Sequence, residues 1–184
     1  MALTESNMME LGTVAPEFTL PDTVSGKELS LDSLKSEVAT VVTFICNHCP
    51  YVHHINTSLV ELAKRYQTEG VRFVAISSNN VLTHPQDAPH LMTEVAKREG
   101  YPFPYLYDES QEVAKAFRAE CTPDFFIFDG SLKCAYRGRF DDTRPNMGQA
   151  TGKDIANALD ALIAGQAPPT DQYPSMGCGI KWKN

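Results

Sequence analysis

The sequence predicts an α/β fold: a mixed central β-sheet flanked by helices, with an N-terminal β-hairpin and an extended C-terminal tail. Three observations carry this expectation. Apolar residues alternate on both sides of Gly26, as in a hairpin. From Val38 onward, strand-like and helix-like periods follow one another, which implies parallel strands joined by crossover helices. Later, two strand-like runs flank Asp129-Gly130, which adds antiparallel strands.

The elements follow in order. Residues 17–21 and 27–31 form the hairpin. Val38 to Ile45 is β-branched and nearly continuous, as in a strand covered on both faces. Past Pro50, Val52, Ile55, Leu59, Leu62, Ala63 and Tyr66 share one helical face until Gly70 stops the run. Val71 to Ser77 is the next strand. Leu91, Met92, Val95 and Ala96 mark a second helix, closed by Gly100. Asp108 with Gln111 resembles a capping box and opens a short helix through Phe117. Asp124 to Phe128 is a strand, and Leu132 to Tyr136 is its antiparallel partner. Thr151 and Asp154 open a last helix bearing Ile155, Ala158, Leu159, Leu162 and Ile163. Beyond Ala167, Pro168, Pro169, Pro174 and two glycines keep the tail extended.

With 184 residues, the chain is one domain, its core spanning about residues 12–164 and its tail residues 165–184. An apolar share of 42% and ordinary glycine and proline contents exclude disordered and collagen-like classes. The net charge of −7, with 16 scattered basic residues against 23 acidic ones, excludes a nucleic-acid partner. Val38 to Cys46 is too short for the roughly 20 apolar residues of a spanning helix, so no membrane partner is expected. Residues 1–11 carry no basic segment followed by an apolar one, so a cytoplasmic location is expected.

The five cysteines, Cys46, Cys49, Cys121, Cys134 and Cys178, are too few for a disulfide scaffold. Two of them form Cys46-Asn47-His48-Cys49-Pro50, where a strand ends and a helix begins. The unpaired amides of a helix N-terminus carry partial positive charge, which stabilises a thiolate. Cysteines three apart on one turn can bring their sulfurs together. Cys46 sits at the open end and Cys49 behind the first turn, which makes Cys46 the attacking thiol and Cys49 the resolving one. Asn47, His48 and Pro50 would tune the pair: a protonated His48 favours the thiolate, and Pro50 is tolerated early in a helix.

A second element is Cys121-Thr122-Pro123-Asp124, at the entrance to the Phe125–Phe128 strand. Together with Gly12-x-x-Ala15-Pro16-x-Phe18-x-Leu20-x-Asp22 and Cys46-x-x-Cys49-Pro50, it resembles the thioredoxin superfamily. The likeness is strongest to the peroxiredoxin-like branch, the alkyl hydroperoxide reductase/thiol-specific antioxidant type, and spans about Gly12 to Ile163. The resemblance implies a thioredoxin-like fold and oxidoreductase activity without a bound cofactor or metal. It also implies that Thr122 and a cis Pro123 face the cysteines and offer backbone to an extended substrate. Its implied partners are protein or small-molecule thiols and disulfides, a thioredoxin-like reductant, or a hydroperoxide; the oligomeric state is left open.

The leading reading is therefore a thiol–disulfide oxidoreductase, with a thiol peroxidase second. Peroxiredoxins share Pro-x-x-x-Thr-x-x-Cys, and neither register completes it here: placing Cys46 last keeps Thr43 but puts Ala39 at the proline. Where thioredoxins proper hold a buried Asp, six residues before the first cysteine, this chain has Thr40. A third reading is a zinc-stabilised binding module using Cys49 and His53, with Cys46 and His54 near. No second Cys-x-x-Cys supports it, and the βαβ context favours redox chemistry. Cys121 and Cys134 read as small buried hydrophobes. Cys178, in Met176-Gly-Cys-Gly179, is either a third redox thiol reaching the site or an incidental one, and the sequence favours the incidental reading. Arg137, Arg139, Asp141 and Asp142 read as salt-bridged surface rather than active-site rim.

Overall fold

The computed structural model describes residues 3–184. Its central sheet has the order β6-β5-β4-β8-β9, formed by Tyr105–Tyr107, Arg72–Ser77, Ala39–Phe44, Asp124–Asp129 and Cys134–Gly138. Strands β4, β5 and β6 run parallel, and β8 and β9 are antiparallel to their neighbours. This is the expected mixed sheet. The early parallel pairing follows from α2 (Pro50–Gln67) and α3 (Pro89–Glu99), which return the chain for each next strand. The β8–β9 pairing follows from a tight turn, where the Asp129 carboxylate accepts from Ser131 N at 2.9 Å and Lys133 N at 3.0 Å.

The expected N-terminal hairpin is present as β2 (Thr19–Pro21) paired with β3 (Glu28–Ser30). It ends sooner than expected. Ser30 caps a short helix, α1 (Leu31–Leu34), in a reciprocal capping box with Ser33. Asp22 fixes the hairpin to the sheet: its carboxylate accepts from Val24 N, Ser25 N and Tyr105 N.

Alternation along β4 divides the core. Ala39 and Val41 face one layer with α2, α3 and α5 (Lys153–Ile163). Val42 and Phe44 face the other, with the hairpin, α1 and α4 (Glu112–Phe117). On that second face Phe117 packs against Phe18, Phe44, Phe126 and Phe128, with ring centroids 5.5–6.1 Å apart. Tyr66 ties α2 to α5 by donating to Asp160 Oδ1 at 2.6 Å. Burial first, and then Asp160, push its hydroxyl up to about 12.

Four strands were not expected, and one cap differs. Strand β6 is short and follows directly on a loop, so its three residues carry no readable period. The residues ahead of α4 do not form a capping box. Gln111 stands at the N-cap with φ 67° and no side-chain cap bond, while Asp108 Oδ2 reaches further in and accepts from Ala114 N at 2.9 Å. Most consequentially, the C-terminal tail is extended but not loose. Residues Met176–Gly179 form β10, the middle strand of a second sheet between β1 (Leu3–Glu5) and β7 (Cys121–Thr122). Beyond it, Lys181 N donates to Asn79 Oδ1, and Lys183 N to Gln111 Oε1, both at 2.8 Å. Among the described residues, no helix is long and apolar enough to cross a membrane.

Candidate active site

The Cys46–Pro50 segment lies between the end of β4 and the start of α2, as the sequence implies. Cys49 is the N-cap of α2 and Pro50 its first residue. The segment is held from three sides. Asn47 N donates to Asp87 Oδ1 at 2.8 Å, and Asn47 Nδ2 to the Gln86 carbonyl at 2.9 Å. Tyr105 Oη donates to Asn47 Oδ1 at 3.0 Å. His53, one turn into α2, donates from Nε2 to the Asn47 carbonyl at 2.6 Å. Asn47 is thus an anchor of the loop, its side chain committed to Gln86 and Tyr105 rather than to the sulfurs.

His48 does reach toward Cys46: its Nδ1 lies 3.7 Å from Cys46 Sγ and 2.6 Å from Asp87 Oδ2. Asp87 is buried and also accepts from Asn79 Nδ2 at 2.9 Å. Burial alone would raise its carboxyl, but His48, Asn79 and Asn47 together hold it below its ordinary value. His84 stacks on His48 with ring centroids 5.2 Å apart. Burial, then His48, lower the pKa of His84. The sequence did not point to Asp87 or His84. They lie about 40 residues away, His84 at the N-cap of the 3-10 turn Pro85–Asp87 and Asp87 at its end, and no spacing links them to Cys46.

The peptide bond between Thr122 and Pro123 is cis, and this loop faces both cysteines. Cys46 Sγ is 3.5 Å from Thr122 Oγ1, and Cys49 Sγ is 3.2 Å from the Thr122 carbonyl. Cys49 Sγ also lies 2.8 Å from Cys178 Sγ. The third thiol, which the sequence favoured as incidental, is therefore in direct contact with the pair. No disulfide joins the cysteines among the described residues.

Two expectations change. Cys46 was expected to be the more exposed sulfur, yet Cys46 and Cys49 are both buried, at 1% and 0% exposure. The Asp87 turn covers one side and β10 the other; the outermost groups are His48, whose side chain is 14% exposed, and Pro50. The thiolate was expected on Cys46, but the neighbouring hydrogen-bond donors lower Cys49 instead. The Cys46 thiol donates to Cys49, and the Cys178 thiol, Val52 N–H and Thr122 hydroxyl add to it. Against burial, they bring Cys49 down to about 4. By the same contact, and then by burial and the charge of Asp87, Cys46 is held well above its ordinary value.

The remaining candidates are placed as follows. Thr122 does not present an open strand edge, because its backbone already pairs with Cys178 of β10. The zinc set does not assemble: His53 is spent on Asn47 and His54 on Thr143 Oγ1, while Cys49 meets Thr122 and Cys178. Cys46, His48 and Asp87 do bring one ligand atom each within 4.8 Å of one another. The 2.6 Å contact between His48 and Asp87 is, however, a hydrogen-bonded ion-pair spacing rather than two ligands about a metal. Thr40 accepts from Ser36 N and is structural. Asp124, directly after Pro123, is buried, and burial pushes its carboxyl well above the usual range. Cys121 and Cys134 are buried, and burial raises both thiols, Cys134 to about 11. Arg139 pairs with Asp154 at 2.6 Å, and Asp141 accepts from Thr143, Thr151 and Gly152. Both residues nevertheless line a cleft beside Pro123, together with Tyr51, His54 and Met176.

Comparison with known proteins adds the following. The AhpC/TSA family model matches residues 11–137. No curated protein matches the chain. Among solved structures, an uncharacterized conserved protein from Geobacillus kaustophilus is 55% identical, with 100% of this chain and 97% of that one covered and a TM-score of 0.98. A hypothetical protein from Sinorhizobium meliloti 1021 is 44% identical, with 98% of each chain covered and a TM-score of 0.95. A peroxidoxin from Mycobacterium tuberculosis is 20% identical, with 87% of this chain and 100% of that one covered and a TM-score of 0.65, a likeness of fold.

Proposed function

The chain belongs to the AhpC/TSA family of thioredoxin-like oxidoreductases, and from that premise we propose that it catalyses thiol–disulfide exchange through Cys46 and Cys49. One observation carries the reading: both sulfurs stand at the N-terminus of α2 against the Thr122–Pro123 loop, within 3.5 Å of Thr122 atoms.

In the reduced site Cys49 holds the negative charge and accepts a hydrogen bond from the Cys46 thiol. As a substrate disulfide approaches past His48, that proton passes to Cys49, and the Cys46 sulfur attacks. A bond forms between Cys46 and one substrate sulfur, and the other leaves as a thiolate, taking the proton from Cys49. Cys49, again a thiolate, attacks Cys46. The Cys46–Cys49 disulfide forms, the mixed disulfide breaks, and the second substrate sulfur departs as a thiolate. The low pKa of Cys49 makes it a good leaving group in the reverse direction. The substrates are thiols and disulfides in a reducing cytoplasm, with a thioredoxin-like donor restoring the dithiol. Because β10 fills the strand edge at Thr122, the approach is at Cys46 rather than by strand addition.

Peroxide reduction is the second reading, and the geometry gives it less. The Thr43 hydroxyl, which would complete the peroxidatic pattern, donates to the Asp124 carbonyl at 3.1 Å. The test is a disulfide-reduction assay with single variants. Cys46→Ser should show no turnover, and Cys49→Ser should accumulate a mixed disulfide on Cys46. Full activity in Cys46→Ser would refute the assignment. Stopped-flow consumption of hydrogen peroxide much faster than by a free thiol would favour the peroxidase instead.

A further inference from the structure

Strand β10 lies where an added substrate strand would lie. It pairs antiparallel with Cys121–Thr122, placing Cys178 opposite Thr122, and β1 closes its other side. Backbone pairing of this kind is how an extended peptide joins a sheet edge. Both flanks are pinned: Ser175 Oγ donates to the Pro123 carbonyl at 2.6 Å, and Ile180 N to the Glu120 carbonyl at 3.0 Å. Gly177 permits the close approach, because a Cβ there would stand 2.0 Å from the Thr122 oxygen. Cys178 Sγ thereby rests 2.8 Å from Cys49 Sγ. A disulfide bond is about 2.05 Å long, so only about 0.8 Å remains to close.

We propose that Cys178 is a third catalytic thiol, presented by its own strand in the place of a substrate, which takes over the active-site disulfide from Cys46. The proposal rests on the reading of Cys46 and Cys49 as the redox pair. Starting from the Cys46–Cys49 disulfide, the Cys178 sulfur attacks Cys49. The Cys49–Cys178 bond forms and the Cys46–Cys49 bond breaks. Cys46 leaves as a thiolate and receives the proton that Cys178 gives up. No electrons enter or leave, and the chain carries one disulfide before and after. Burial and the Cys49 charge hold the Cys178 thiol up at about 12 in the reduced site. Oxidation of Cys49 removes that charge, so the thiol ionises more readily when there is a disulfide to attack. The exchange returns Cys46 to the thiol form while the oxidising equivalents rest in a buried bond.

The test oxidises the reduced full-length protein with oxidised glutathione, blocks remaining thiols and maps disulfides by mass spectrometry without reduction. Wild type should yield Cys49–Cys178 alongside Cys46–Cys49. Cys46→Ala should yield Cys49–Cys178 alone, and Cys178→Ser only Cys46–Cys49. Gly177→Ala keeps all three thiols but pushes β10 off Thr122, and should lower the Cys49–Cys178 share at least tenfold. Absence of that bond from both wild type and Cys46→Ala would overturn the proposal, as would an unchanged share in Gly177→Ala. Absence of Cys46–Cys49 from both wild type and Cys178→Ser would instead overturn the redox-pair reading on which the proposal rests.

Discussion

Asp87→Ala separates the loop's anchor from its sulfur chemistry. The Asp87 carboxylate is fully buried and accepts three hydrogen bonds: from Asn47 N at 2.8 Å, Asn79 Nδ2 at 2.9 Å and His48 Nδ1 at 2.6 Å. Truncation leaves two donors on buried residues without an acceptor, Asn47 N and Asn79 Nδ2. His48 is partly exposed and can turn to water. A buried donor left unpaired costs about 1–3 kcal/mol, so the loss should be about 2–6 kcal/mol. With a urea slope of about 1–3 kcal/mol per molar, the unfolding midpoint should fall by roughly 1 M or more. Asp87→Asn keeps the volume and one acceptor and should lose about half as much. The assay is urea unfolding under reducing conditions, at pH 7.5 and again in acid. Asp87 has a depressed pKa in the folded state. Its contribution is therefore complete above the ordinary carboxylate range near pH 4 and is lost as pH falls through the depressed value. The gap between wild type and Asp87→Ala should narrow on acidification. A loss under about 1 kcal/mol at pH 7.5, or a gap that widens in acid, would refute the reasoning.

Two further outcomes are expected. The reduced protein should show thiolate absorbance near neutral pH that disappears as pH falls through about 4, because Cys49 is depressed and holds its charge above that value. Cys49→Ser should remove this step, and a step surviving in that variant would place the thiolate elsewhere. Phe117→Ala removes the ring that four other phenylalanines surround and should cost about 3–5 kcal/mol in a thermal or urea melt, with little effect on the thiolate step. A cost below about 1 kcal/mol would mean that the aromatic cluster collapses into the space.

Much of this molecule is legible along the chain, because its longer elements repeat their own period. The apolar stripe from Val52 to Tyr66 is buried as the helical spacing requires. The β-branched run through Val41 and Val42 is the middle strand, covered on both faces. Cys46-x-x-Cys49 sits at the strand–helix junction that the change of period marks. Short pieces are not legible: β6, β7 and β10 have two to four residues each, too few to repeat anything. Those strands decide the chemistry. Sequence determined that two thiols would meet at a helix N-terminus. Only the tertiary structure decided that Asp87 and His84 hold His48 beside the first of them, and that β10 brings Cys178 to the second. The reason is physical. A helix or a long strand is specified by neighbours a few residues apart, whereas the site is assembled by contacts between residues 39 to 129 positions apart, and these exist only once the sheet has closed.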